Sequence, residues 1–271
     1  MKNILVFLLI GLLTQNVSAQ NDAYFTKTAA IDGLSTEWSK DLLNFDRETA
    51  FTTAVRNDTE NLYILFQTDD QMAIDKLLAA GMEVSFKAKT KPKLNAKLKF
   101  PLVTEEDNAG DSSEKRVLSE GVDAAVLLKA NRELQVRSKK EAQLNGFDAG
   151  NGRKSLIDLE GIEMALAIDE TVEKPVFSYE LKIALSKLYG PNSNWDKVYK
   201  TALMINITVK GIEIPFKTDD YVKTGGAINN RSKERGVPAG VEKPEAYQYK
   251  LKDSKYMTRD QNVKLKYALS R

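Results

Sequence analysis

The sequence predicts an all-β protein, an antiparallel β-sandwich of jelly-roll-like type with minor helices and a C-terminal tail. Three observations carry the prediction. Short runs rich in Val, Ile, Phe, Tyr and Thr alternate apolar with polar residues, turn signals built from Asn, Asp and Gly separate them at short intervals, and few windows hold helical spacing.

The chain opens with a basic tip, Met1-Lys2-Asn3, followed by the apolar run Ile4 to Leu13 and then Val17-Ser18-Ala19. A run of about ten apolar residues is the length of a signal-peptide core, about half of what a membrane span requires. The small-x-small pattern places cleavage after Ala19, so residues 1–19 are expected to be a signal peptide that exports the chain to the periplasm or the extracellular space. Up to about Lys27 the mature chain reads as an unstructured lead-in. An apolar step, Ala29-Ala30-Ile31, then meets the turn Asp32-Gly33, and Trp38 follows as an aromatic expected to cap the core.

Phe51 to Arg56 and Leu62 to Thr68 read as the two strands of an antiparallel hairpin around Asn57-Asp58-Thr59-Glu60-Asn61, with Tyr63 a core residue. Met72 to Ala80 has helical spacing stopped by Gly81. Met82 to Lys89 and Leu94 to Phe100 alternate as half-buried strands do. Thr104 to Lys115 is an aperiodic acidic loop. Glu120 to Leu144 favours helix by propensity, yet Ala125-Val126-Leu127-Leu128 and Leu134-Gln135-Val136 suit short strands, and the expectation is strands around a small helix.

Gly146 to Gly152 reads as a loop, Gly161 to Ile168 and Phe177 to Ile183 as strands joined by the turn Asp169 to Pro175. A short helix over Ala184 to Leu188, the loop Gly190 to Trp195 and the strand Thr201 to Val209 complete a sandwich domain spanning residues 20–222. Residues 223–271 form a basic segment too polar to build a core and are expected to be a flexible tail, although Ala246 to Leu251 and Val263 to Tyr267 alternate and suit an added edge strand.

Composition restricts the chemistry. With no histidine and no cysteine, the chain has no Ser-His-Asp or Cys-His pair, no His-Glu-x-x-His zinc site, no disulfide and no thiolate-held cluster. Haem loses its commonest axial ligand. Carboxylate chemistry and binding of a hard metal by oxygen are what is left. A structural calcium is the metal such a set suits, with Asp69 and Asp70 as candidate ligands and Glu105-Glu106-Asp107 and Asp219-Asp220 as further acidic runs. A net charge of +2 from interspersed Lys, Arg, Asp and Glu argues against a nucleic-acid partner. No window after the leader is long and apolar enough to cross a membrane.

Ile31-Asp32-Gly33 with Glu37-Trp38, Asn57-Asp58 with Asn61-Leu62-Tyr63-Ile64, and Tyr179-Glu180 with Ile183-Ala184-Leu185 occur in an order that resembles the landmarks of family 9 carbohydrate-binding modules and the wider DOMON-like sandwiches. Ala184 stands where that family usually has proline. The resemblance spans about residues 24–222 and implies a non-catalytic module that stacks a sugar ring on an aromatic face while polar side chains bond its hydroxyls. On that implication Trp195 is the candidate platform, with Tyr189, Asn194 and Asp196 beside it. The alternatives are an envelope scaffold or accessory subunit that uses the same fold against a protein partner, and a carboxylate glycosidase.

Overall fold

The computed structural model describes residues 30–103, 124–169, 171, 174–212 and 255–271. Two antiparallel sheets pack face to face. One has five strands in the order β1-β2-β3-β9-β8 and the other six in the order β11-β10-β4-β5-β6-β7. In the first sheet the strands are β1 (Asn44–Asp46), β2 (Phe51–Asn57), β3 (Asn61–Thr68), β8 (Ile162–Asp169) and β9 (Val176–Ala184). In the second they are β4 (Met82–Ala88), β5 (Leu94–Lys99), β6 (Glu141–Asn145), β7 (Gly152–Ser155), β10 (Leu203–Val209) and β11 (Gln261–Tyr267). The all-β sandwich expected from the alternating runs is the fold observed.

Alternation sets which side chains meet. In the first sheet Phe51, Leu62, Ile64, Phe66, Phe177, Tyr179, Leu181 and Ile183 point inward, and Val84, Phe86, Ala96, Leu98, Ile205 and Ile207 answer them from the second; all belong to one buried cluster. The Phe51 and Phe66 rings meet edge to face at 4.8 Å. Within this layer burial drives the Tyr179 hydroxyl far above the usual phenol range.

Helices among the described residues include α1 (Gln71–Ala80), α2 (Ala124–Ser138), α3 (Leu185–Tyr189) and α4 (Trp195–Tyr199). Helix α1 starts because the Asp70 side chain accepts a hydrogen bond from Ala73 N at 2.8 Å. It stops at Gly81, whose φ of 77° suits glycine and where a Cβ would lie 2.5 Å from the Pro101 carbonyl oxygen.

The structure corrects the reading of residues 120–144. The segments 125–128 and 134–136 lie within helix α2, and only Glu141–Asn145 is a strand. The cause is a mismatch between hydropathy and burial: α2 exposes Val126, Leu128 and Leu134 yet buries Arg132, which bonds Asp75 Oδ1 at 2.8 Å and Gln71 Oε1 at 2.6 Å on α1. Strand β7 begins at Gly152, the last residue of the expected loop, and pairs with β6 through Gly152–Ser155, which the sequence reading left unassigned beyond Gly152.

Beyond the sandwich boundary expected at residue 222, Gln261–Tyr267 pairs with β10 along all seven of its residues and forms an edge of the six-stranded sheet. The alternation of Val263 to Tyr267 therefore marks an edge strand. It is fastened at both ends. The Lys76 side chain, wholly buried on α1, donates through Nζ to the carbonyls of Tyr256 (3.0 Å) and Arg259 and to Gln261 Oε1 (3.3 Å). Past the other end, Asn57 Oδ1 accepts from Tyr267 OH at 2.8 Å and Ser270 N at 3.0 Å, while Asn57 Nδ2 donates to the Ser270 carbonyl. The expected signal peptide, the acidic loop 104–115, Asp219-Asp220 and the segment 223–254 with its Ala246 to Leu251 run lie outside the described residues.

Candidate functional site

Trp195 is the first residue of α4, and the helix is short but well started. Asn194 has the extended backbone of an N-cap, and its Oδ1 accepts from Lys197 N at 3.1 Å. The indole is half-buried and packs on the edge of the core. The Tyr189 ring meets it edge to face at 6.2 Å and 68°, and Tyr199 lies against it at 6.3 Å, tilted by 43°. Next to this aromatic row Arg271 pairs with Asp196 and carries its guanidinium 5.1 Å from the Tyr199 ring centroid.

All four sequence candidates thus fall at one corner of the sandwich, with different duties. Tyr189 is buried, its hydroxyl has no partner among the described residues, and burial pushes that hydroxyl well above the phenol range. Its ring is edge-on to Trp195, so it buttresses the indole instead of forming the second wall of a sandwich. Asn194 is exposed but spends its carbonyl oxygen on the cap. Asp196 is exposed and ion-paired. Tyr199 and Arg271, which the sequence did not single out, supply the second ring and the cation of the corner. Tyr199 follows Trp195 by four residues, the spacing of neighbours on a helix, and that was the available signal; Arg271 gave none.

Asp69 and Asp70 do not form a cluster. Asp70 is the N-cap of α1, Asp69 is exposed, and among the described residues no three acidic side chains come together to hold a metal ion.

Another arrangement joins the three sequence landmarks. Glu180 lies on the outward face of β9 yet is fully buried, because the segment from Ile31 to Leu43 folds over that face. Its Oε1 accepts from Trp38 Nε1 at 2.7 Å and its Oε2 from Gly33 N at 2.9 Å and Asp32 N at 3.2 Å. Gly33 is required here: its φ is 86°, and a Cβ would lie 2.9 Å from the Ala167 side chain of β8. Burial pushes the Glu180 carboxyl above its ordinary value and Glu37 adds to this, while the three N–H groups pull the other way.

Beside it the Arg56 guanidinium sits 4.8 Å from the Trp38 ring and 5.4 Å from the Tyr63 ring, with its inaccessible Nε and Nη2 unpartnered among the described residues. Asp58 takes a 2.6 Å bond from Tyr63 OH and bonds from Glu60 N and Asn61 N. Burial alone raises the Asp58 carboxyl, but these donors outweigh it and hold the group below the usual carboxylate range. Trp38 is therefore a buried structural residue, as its position in the sequence suggested.

Among the described residues no helix is long and apolar enough to cross a membrane. The fold and these sites define a two-sheet antiparallel sandwich with an aromatic corner and a sealed outer face. No protein-family model, curated protein or solved structure matches the chain.

Proposed function

We propose that the protein is an exported, non-catalytic module that binds a poly- or oligosaccharide at the aromatic corner around Trp195. The observation that carries this reading is a half-buried indole fixed at the start of an Asn194-capped helix, with Tyr199 continuing the aromatic surface and the Asp196–Arg271 pair at its rim. A pyranose ring offers C–H groups to such a face and hydroxyls to the carboxylate and guanidinium, the pairing of apolar area with a few polar contacts that sugar sites use. The likeness to family 9 carbohydrate-binding modules gains support from the meeting of Asp32-Gly33 and Trp38 with Glu180 in one hydrogen-bonded cluster, since two motifs far apart in the chain then serve one purpose.

The test is a panel of soluble and insoluble polysaccharides presented to the chain from Gln20 onward, with calcium present or chelated. Selective binding that Trp195→Ala abolishes supports the reading; a folded protein that binds no glycan sinks it. A second reading, an envelope scaffold with a protein partner, is favoured by one feature: among the described residues β11 has an outer edge on which another strand can pair. Co-purification of a partner that substitutions in Gln261–Tyr267 release distinguishes the two.

A further inference from the structure

The two outer faces of the sandwich are treated differently. That of the five-stranded sheet is sealed by Trp38, Ile31, Leu42 and Leu43. That of the six-stranded sheet presents lysines around a polar floor. In register across it run Lys266, Met204 and Lys87, then Lys264, Asn206, Ser85 and Lys97, then Thr208, Glu83 and Lys99. Lys97 pairs with Glu83 at 3.2 Å, whereas Lys87, Lys99, Lys264 and Lys266 have no acidic partner among the described residues.

Strands stand about 4.8 Å apart, so the backbones carrying Lys266 and Lys87 flank Met204 across about 10 Å. Met204 is 44% exposed between them. Two residues along β10, Asn206 donates from Nδ2 to Thr208 Oγ1 at 2.9 Å, and its inaccessible Oδ1 has no partner among the described residues.

We propose that this face is a second binding surface, separate from the Trp195 corner, for an anionic polysaccharide whose units carry carboxylates. The unpaired lysines meet the acid groups, and Met204 lies under a ring face. Charge complementarity sets the sign of the ligand; an exposed apolar floor residue, Met204, favours a glycan over a polymer recognised through phosphate alone.

The probe is polygalacturonate, set against a neutral glucan, duplex DNA and vesicles of anionic phospholipid, all with the chain from Gln20 onward. Expected are retention on polygalacturonate that weakens as salt rises, a loss of at least tenfold in affinity for Lys87→Glu/Lys266→Glu, and a smaller loss for Lys87→Gln/Lys266→Gln. The glutamines preserve size and polarity, so a fold defect confined to the charge-reversed pair does not obscure the result; thermal unfolding of each variant confirms the fold. No retention of the wild type, or equal retention of the charge-reversed pair, overturns the proposal. So does equal binding to duplex DNA or to vesicles, which makes the face a general anion surface. Failure of the Trp195 site shows separately, as neutral-glycan binding that is absent or indifferent to Trp195→Ala.

Discussion

Replacing Trp38 by Phe isolates one bond of the Glu180 cluster. The substitution keeps an aromatic face under Arg56 and removes the Nε1–H that donates to Glu180 Oε1 at 2.7 Å. A hydrogen bond to a charged acceptor contributes about 1.5–3 kcal/mol, and its loss here leaves a buried carboxylate oxygen unmatched. The space vacated by the smaller ring adds about 1 kcal/mol. The expected cost is therefore about 2.5–4 kcal/mol at pH 7, measured by urea unfolding followed by circular dichroism.

The pH dependence follows from the same site. The Glu180 carboxyl is raised above its ordinary 4.5 in the folded state, so the stability it contributes is fully present below about pH 4.5 and is lost as pH rises through the raised value. Without the indole donor the carboxyl rises further and that loss grows. The Trp38→Phe penalty is thus larger at pH 7 than near pH 4.5. In a Glu180→Gln background the charge is gone, and the penalty shrinks by at least about 1 kcal/mol. A penalty below about 0.5 kcal/mol, or one that neither pH nor Glu180→Gln alters, refutes the assignment of the bond as a principal clamp on the N-terminal segment.

Other perturbations act on the C-terminal strand and on binding. Lys76→Met leaves the carbonyls of Tyr256 and Arg259 without their buried donor, at a cost of about 2–4 kcal/mol; hydrogen exchange is expected to accelerate in Gln261–Tyr267 while β2 and β3 keep their protection. Asn57→Ala frees Tyr267 OH and Ser270 together, costing about 1–3 kcal/mol in urea unfolding, with faster hydrogen exchange expected at Ser270 N. Trp195→Ala removes the sugar platform and reduces glycan affinity at least tenfold in isothermal titration, with a modest fall in melting temperature because the indole also packs on the core edge.

Strand periodicity made most of the sandwich legible. Leu94 to Lys99 and Met82 to Ala88 alternate so regularly that their inward faces could be assigned before any pairing was known. Helix α2 was hidden because its exposed side holds Val126, Leu128 and Leu134 while its packed side holds Arg132; a residue's own hydropathy reveals nothing when an ion pair, here with Asp75, decides its burial. Glu180 and Lys76 follow the same rule. Each is a charged residue made internal by a segment far along the chain, with Glu180 covered by residues around Asp32 and Trp38 and Lys76 by residues 256–261. Local pattern cannot announce contacts of that range.

The same asymmetry bears on where function resides. An outward-facing Glu180 or Arg56 buried under a dedicated segment stabilises a chain fold and is unavailable to a ligand, however suggestive its residue type. The lysines of the six-stranded sheet have no such cover among the described residues, and Trp195, at the start of α4, stays half-buried. Substitutions in the sealed face should therefore move melting temperature and leave ligand affinity unchanged in the molecules that stay folded. Substitutions at Lys87 or Lys266 should do the reverse, and Trp195→Ala should lower affinity with only a modest fall in melting temperature. Measuring both quantities on Trp38→Phe and on Lys87→Glu/Lys266→Glu separates the two kinds of surface: a Trp38→Phe protein that is fully folded yet loses glycan binding would move the site to the face that the structure shows covered.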